Sequence, residues 1–231
     1  MQAQLNSKMV EDFVRWFLRL NGYFSIESFI VHDPAQIWHR RVGQKTETDT
    51  IAVRMPYSKE VAGNLYMANY PPLVNGAERR FDVIIAEAKS GRDNTPNKVW
   101  VDYQVDAVKY IVQFVGLCKS EAEIAKVANI LSKTYCYESE EFRFRYIVFS
   151  KEPNQYYAAR SVTYISLREV VNFLVEVRGQ SWIESKIGVA SLHEQWNQSI
   201  KEILAIANDP NLETRTRPER AYEKFLELAH E

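Results

Sequence analysis

The sequence predicts an α/β protein with a central mixed β-sheet flanked by helices. Apolar residues recur at helical spacing in some segments, whereas short aliphatic runs between them read as strands. Helices and strands that alternate along a chain are typical of a layered α/β fold. With 231 residues, 46% of them hydrophobic, the chain can bury a sizeable core.

The first half of the chain supplies one helix, three strands and a second helix. In KMVEDFVRWFLRL, at 8–20, the apolar residues have helical spacing, and Asn21 and Gly22 supply a stop. Strand signals follow at 24–31, 48–54 and 81–89, and helical spacing returns over 98–116. The first strand is expected to place on one face Phe24, Ile26, Ser28 and Ile30.

The second half continues the alternation. Ser120 and Glu123 form a capping box at the start of a helix over 120–132. Two strands are expected next, and Ser166 is expected to cap a further helix; these segments are 144–150, 161–166 and 167–177. From about 185 the pattern is helical, broken near Pro210. We therefore expect a core domain over 1–180 and a helical C-terminal extension over 181–231.

Composition narrows the function classes. Lys plus Arg total 29 and Asp plus Glu total 30, so any polyanion site is a local patch or is completed by a second subunit. Two cysteines are too few for a zinc cluster or a disulfide framework. The chain has no secretion signal, no membrane-spanning run and no glycine-rich phosphate loop, so we expect a cytoplasmic protein.

The connection over 55–80 is long for a compact domain. It contains three prolines, two glycines and three tyrosines. Connections of this length are usually functional or mobile. A surface excursion without function is the other interpretation, and the sequence leaves both open.

The strand FDVIIAEAK, at 81–89, ends in two charges. Alternation places Glu87 and Lys89 on the face that carries Val83 and Ile85. An unpaired charge on a buried face is costly. The two side chains therefore either form a structural ion pair or line a polar site that binds a ligand.

Asp49 favours the second interpretation. It shares a strand face with Ile51 and Val53 in TDTIAVR, so Asp49 and Glu87 converge if the two strands are neighbours. Two carboxylates held together repel each other unless a cation bridges them, and hard oxygen ligands suit Mg²⁺. Lys89 reaches the same space, where it can orient a water or neutralise charge on a phosphate.

Asp49 followed by Glu87-Ala88-Lys89 resembles the motif of the PD-(D/E)xK nuclease superfamily. The resemblance covers roughly residues 8–150. It implies a restriction-endonuclease-like core, a Mg²⁺ or Mn²⁺ cofactor, metal ligation by Asp49, Glu87 and the Ala88 carbonyl, and a catalytic role for Lys89. It further implies an additional metal-shell group at Glu11, on the first helix, and a glutamine facing the site at Gln104. Glu11 as an ordinary helix charge and Gln104 as a satisfied core residue are the alternatives.

Four arginines are candidates for phosphate binding: Arg40, Arg41, Arg143 and Arg145. For Arg143 and Arg145, which share one strand face, an exposed sheet edge is the alternative. We expect a metal-dependent nuclease acting on nucleic acid, with DNA as the expected substrate and a homodimer or protein partner completing the surface. A catalytically inactive or partner-dependent subunit on the same fold, and a structural protein with only an ion pair, remain open.

Overall fold

Helix α1 begins the fold where the sequence predicts it. It spans Ser7–Leu20, and the Asn6 side chain caps it by accepting a hydrogen bond from the Met9 N–H at 3.3 Å. Gly22, at φ +85°, turns the chain into the first strand. The computed structural model describes residues 5–32, 44–62, 64–91, 95–181 and 197–230.

The strands of the described residues confirm the predicted strand segments and add short ones. They are β1 (Tyr23–His32), β2 (Gln44–Arg54), β3 (Val61–Ala62), β4 (Leu65–Tyr66), β5 (Phe81–Lys89), β6 (Cys136–Glu138), β7 (Phe142–Ser150) and β8 (Thr163–Ser166). The main sheet has the order β1-β2-β5-β7-β6, and β8 also pairs with β7. Strand β5 lies antiparallel to β2 and parallel to β7, so the sheet is mixed as predicted.

Helices cover both faces of this sheet. After α1 they are α2 (Pro71–Val74), α3 (Lys98–Val101), α4 (Val105–Val115), α5 (Glu121–Thr134), α6 (Gln155–Arg160), α7 (Leu167–Asn172), α8 (Gln198–Ala207) and α9 (Arg217–His230). A π-helix over Phe173–Gly179 continues α7. Along β5, Ile84 and Ala86 face a core shared with α1, α7, α8 and α9, whereas Val83 and Ile85 face a core shared with α4 and α5.

The C-terminal helices α8 and α9 belong to the first of these cores. The ring of Phe225 in α9 meets that of Phe13 in α1 edge-on at 4.9 Å. The N–H of Asn6 also donates to the Ala229 carbonyl at 2.7 Å. The described part of the C-terminal segment, 197–230, is mainly helical as expected, and it shares its core with the residues before 180. Among the described helices, none has the length and apolar character needed to cross a membrane.

One sequence prediction about these elements is wrong. The single helix expected over 98–116 is interrupted, because Tyr103 adopts a left-handed backbone at φ +52° that cannot continue a right-handed helix. The face of β1 that carries Phe24, Ile26 and Ile30 is exposed. Strand β1 lies at the sheet edge.

The long connection over 55–80 contains secondary structure of its own. Strands β3 and β4 form a two-stranded hairpin within it, and α2 follows. The N–H of Tyr57 donates to the Glu78 carbonyl at 2.7 Å and thereby joins the two ends of the connection.

Candidate functional site

Strands β2 and β5 bring Asp49 and Glu87 together, as the sequence predicts. The antiparallel register pairs Thr50 with Ala86, so one further step places Asp49 opposite Glu87. Opposite residues of an antiparallel pair project from the same face. The Ala88 N–H also donates a hydrogen bond to Asp49 Oδ2 at 2.7 Å, which fixes the Asp49 carboxylate beside the end of β5.

Glu87 is enclosed by donors of the protein. The residue is 3% exposed, and Lys89 Nζ forms an ion pair with Oε1. The Asn97 N–H lies 3.1 and 3.2 Å from the two carboxylate oxygens. The Tyr146 hydroxyl donates to Oε2. Glu87 and Lys89 therefore do form an ion pair, and that pair lies inside a larger polar cluster.

Both carboxyl groups are held in an environment that disfavours their charge. Burial raises the pKa of Glu87, the charge and hydrogen bond of Lys89 oppose the shift, and Asp49 adds to it. Burial also raises the pKa of Asp49. The hydrogen bond from Ala88 and the charge of Lys89 lower this pKa, whereas the charge of Glu47 raises it further. A further cation beside these groups would favour their ionised forms.

Glu11 lies on the Asp49 side of the cluster. Burial raises the pKa of Glu11, and the negative charges of Asp49 and then Glu47 raise it further. A cleft of about 250 Å³ is lined by Glu11, Asp12 and Asp49, with Lys8 at its rim. Glu11 thus borders the same acidic cleft as Asp49, whereas Glu87 lies behind it.

The donor chemistry fits a hard divalent cation in part. Asp49 and Glu87 supply carboxylate oxygens, which Mg²⁺ and Mn²⁺ prefer. Within the described ranges, no group of three or more His, Cys, Asp or Glu side chains is arranged to hold a metal. Ala88 contacts Asp49 through its N–H, whereas the resemblance assigned its carbonyl to the metal. A bound ion would have to replace part of the hydrogen bonding around Glu87.

Gln104 does not join this cluster. It is the N-cap residue of α4, half-buried, and its side chain makes no capping hydrogen bond. The break at Tyr103 leaves it between α3 and α4 and not within the single helix expected over 98–116. Asn97 is the amide side chain that joins the cluster. It accepts a hydrogen bond from Lys89 Nζ at 3.5 Å and donates one to the Glu47 carbonyl at 3.3 Å.

Arg143 and Arg145 are buried in the sheet rather than exposed at an edge. They lie 6% and 7% exposed, and both bind the fully buried Asp82. Arg145 Nη2 also donates to the Leu73 carbonyl at 2.7 Å. A phosphate-binding role does not fit side chains whose donors are committed to a buried carboxylate, so we assign them a structural one. Arg40 and Arg41 lie outside the described residues.

Two members of the cluster, Asn97 and Tyr146, were missed by sequence reasoning. Tyr146 lies on β7 opposite Ile85, on the face that carries Glu87, and its ring stacks on Trp100 at 4.2 Å. A buried tyrosine needs a partner for its hydroxyl, so a tyrosine beside Phe142, Phe144 and Val148 on one strand face was a usable signal for Tyr146. Asn97 carried no such signal, because it lies in a proline-flanked loop.

A scan against protein-family models found no match, and neither did searches of curated proteins and of solved structures.

Proposed function

We propose that this chain is a metal-dependent nuclease with a restriction-endonuclease-like core, which hydrolyses phosphodiester bonds, in the first instance those of DNA. The observation that carries the proposal is the meeting of Asp49 with Glu87 and Lys89 where β2 and β5 adjoin. Two desolvated carboxyl groups with raised pKa values beside one lysine are typical of a catalytic site rather than of a surface ion pair.

Each residue has a distinct role in this proposal. Asp49 and Glu87 would hold the cation, and Glu11 would add negative charge at the open side of the cleft. A bound divalent ion supplies Lewis acidity and lowers the pKa of a coordinated water. Lys89, whose side chain is 19% exposed, can donate a hydrogen bond to a phosphate oxygen or hold the attacking water.

Plasmid nicking with Mg²⁺ or Mn²⁺ tests the proposal. We expect wild type to convert supercoiled plasmid to open circle, and Lys89→Ala, Asp49→Asn and Glu87→Gln to lower the rate about 100-fold or more. Exposed charges away from the site provide matched controls, Lys133→Ala and Glu140→Gln, which should retain the wild-type rate. Equal nicking by wild type and Lys89→Ala would refute the assignment of this site.

One observation favours a second candidate, an inactive or partner-dependent nucleic-acid-binding subunit. Lys89, Asn97 and Tyr146 already bind the Glu87 carboxylate, which leaves it few free lone pairs. In that case titration calorimetry should detect no Mn²⁺ binding, either alone or with DNA present. Mn²⁺ binding that disappears in Asp49→Asn would favour the enzyme.

A further inference from the structure

A second and larger groove lies beside the candidate site, between α1 and the edge strand β1. It measures about 850 Å³, within the usual range of ligand pockets. The α1 residues Arg15, Trp16 and Arg19 form one wall, Phe24 belongs to the opposite wall, and Lys59 closes an end. Neither the sequence motif nor the proposed chemistry uses this groove.

Two cationic side chains of the groove, Arg19 and Lys59, have no carboxylate partner among the described residues. The two anions that line it are paired: Glu27 accepts from Arg15 at 2.6 Å, and Glu60 binds Arg178 at 2.6 Å. Arg19 and Lys59 are both exposed, and within the part of the chain that the structure describes neither has a carboxylate oxygen within 4.0 Å. The groove therefore presents an excess of positive charge in a chain whose net charge is −1.

Aromatic rings accompany these cations. The Arg19 guanidinium lies 4.7 Å from the Trp16 ring centre, and Lys59 Nζ lies 5.0 Å from that of Tyr66. Phe24 is 69% exposed and Tyr66 is 70% exposed. Phe24 lines the groove, whereas Tyr66 lies beside Lys59. A large aromatic side chain exposed on a binding-sized groove needs an explanation, because water contact with the ring is unfavourable.

We propose that this groove binds an unpaired nucleic-acid strand. Arg19 and Lys59 would contact its phosphates, and a base would stack on the Phe24 ring. Cations that follow a backbone, interleaved with aromatic faces, are how proteins hold single strands. A paired base has no free face for Phe24, so the exposed ring selects an unpaired strand over a duplex. The choice of nucleic acid as ligand rests on the proposed function; the location of the groove does not.

The groove and the acidic cleft are adjacent. Glu27 lines both, and Arg15 bridges them by pairing with Glu27 and with Asp12 at 2.9 Å. A strand bound along α1 would thus pass the mouth of the cleft that contains Asp49. This placement suggests a substrate with an unpaired segment, such as a flap, a gap or a single strand.

Fluorescence anisotropy with labelled oligothymidylate in EDTA tests binding without cleavage. We expect Phe24→Leu, which keeps an apolar side chain but removes the ring, to weaken binding about tenfold, and Phe24→Tyr to retain it. Arg19→Gln and Lys59→Gln should each reduce the slope of log affinity against log salt by about 0.7. Lys133→Gln, an exposed lysine of α5, is the control and should bind like wild type.

Three results would overturn the proposal. The first is wild-type affinity in Phe24→Leu and Arg19→Gln. The second is a hairpin duplex that binds as tightly as oligothymidylate. The third is displacement of the oligonucleotide by polyglutamate, which would identify an acidic protein as the partner. Binding as described, without cleavage of either plasmid or a single-stranded oligonucleotide in Mn²⁺, would refute the nuclease function and support the groove. Nicking without any effect of the groove variants on binding would refute the groove alone.

Discussion

The carboxylate of Asp82 is buried, and two arginines of the neighbouring strand stabilise its negative charge. Burial pushes its pKa up, but hydrogen bonds and charges from Arg143 and Arg145 outweigh this and hold the pKa below its usual value. Arg143 Nε donates to one carboxylate oxygen at 2.8 Å, and the Tyr23 hydroxyl donates to the other at 2.5 Å. The charge is thus tolerated only because its partners stay in place.

Removing one of these partners should therefore destabilise the protein strongly. We expect Arg145→Ala to lower the free energy of unfolding by about 3–5 kcal/mol, because it leaves part of the Asp82 charge uncompensated. Urea denaturation at neutral pH measures this. Arg215→Ala, whose side chain is 83% exposed, should change the free energy by less than about 0.5 kcal/mol. A comparable small change for Arg145→Ala would contradict the structural role.

The pKa of Glu87 is shifted in the opposite direction to that of Asp82. Its pKa is raised in the folded state, first by burial, so its protonated form favours folding. Its contribution to stability is fully present below the unfolded pKa and is lost as pH rises through the folded value. In EDTA we expect Glu87→Gln to equal or exceed wild type in unfolding free energy at pH 7. The advantage should shrink toward pH 4, as urea denaturation at both pH values would show.

The same experiment separates the site from a purely structural ion pair. If Glu87 served only to hold Lys89, then Glu87→Gln would lower the unfolding free energy at pH 7 by removing the partner of a largely buried ammonium. That decrease in unfolding free energy would be opposite in sign to the change that we expect if burial and Asp49 destabilise the Glu87 carboxylate.

Strand alternation was sufficient to find Asp49, Glu87 and Lys89, because a charge on an aliphatic face is visible in one short segment. It could not identify the partners of Arg143 and Arg145, since Asp82 lies on a neighbouring strand more than 60 positions away. Alternation shows which residues share a face, whereas burial depends on the helices that cover it.

Among the elements, α7 begins at a complete capping box. Ser166 Oγ accepts from the Glu169 N–H at 3.1 Å, and Glu169 accepts from the Ser166 N–H at 2.9 Å, as the sequence predicts for Ser166. We expect Ser166→Ala to lower the unfolding free energy by about 1 kcal/mol. Ser166→Thr, which keeps the hydroxyl, is the matched control and should lose less in the same denaturation experiment. Equal loss in both would show that the cap contributes nothing.

The break between α3 and α4 shows why element boundaries were harder to predict. Val101 and Val105 flank the interruption, so apolar spacing continues across it and indicates one helix. The left-handed Tyr103 is held by a tertiary contact, since Arg160 Nη1 donates to its hydroxyl at 2.5 Å. That contact is 57 positions away in sequence and cannot be inferred from local periodicity.

At the scale of the whole molecule, the order of helices and strands in the sequence predicted the layered α/β architecture. It did not predict how the segments around Leu5 and α9 pack. Leu5, just before α1, donates its N–H to the Ser90 carbonyl at 3.2 Å, directly after the motif strand. Helix α9 packs against α1 beside it. The candidate site is therefore supported by chain segments from both ends, and its geometry should respond to the stability of the whole fold.

That coupling makes thermal stability a measure of metal binding. A cation that binds only the folded state at 100 times its Kd adds about 2.7 kcal/mol, which for a chain of this length raises Tm by roughly 5–10 °C. We expect Mn²⁺ to raise the Tm of wild type and of Glu140→Gln, each compared with its own value in EDTA. Asp49→Asn should show no shift, because it removes the carboxylate that faces the acidic cleft. An equal shift in Asp49→Asn would place the ion elsewhere, whereas no shift in wild type at any concentration would favour the inactive subunit over the enzyme.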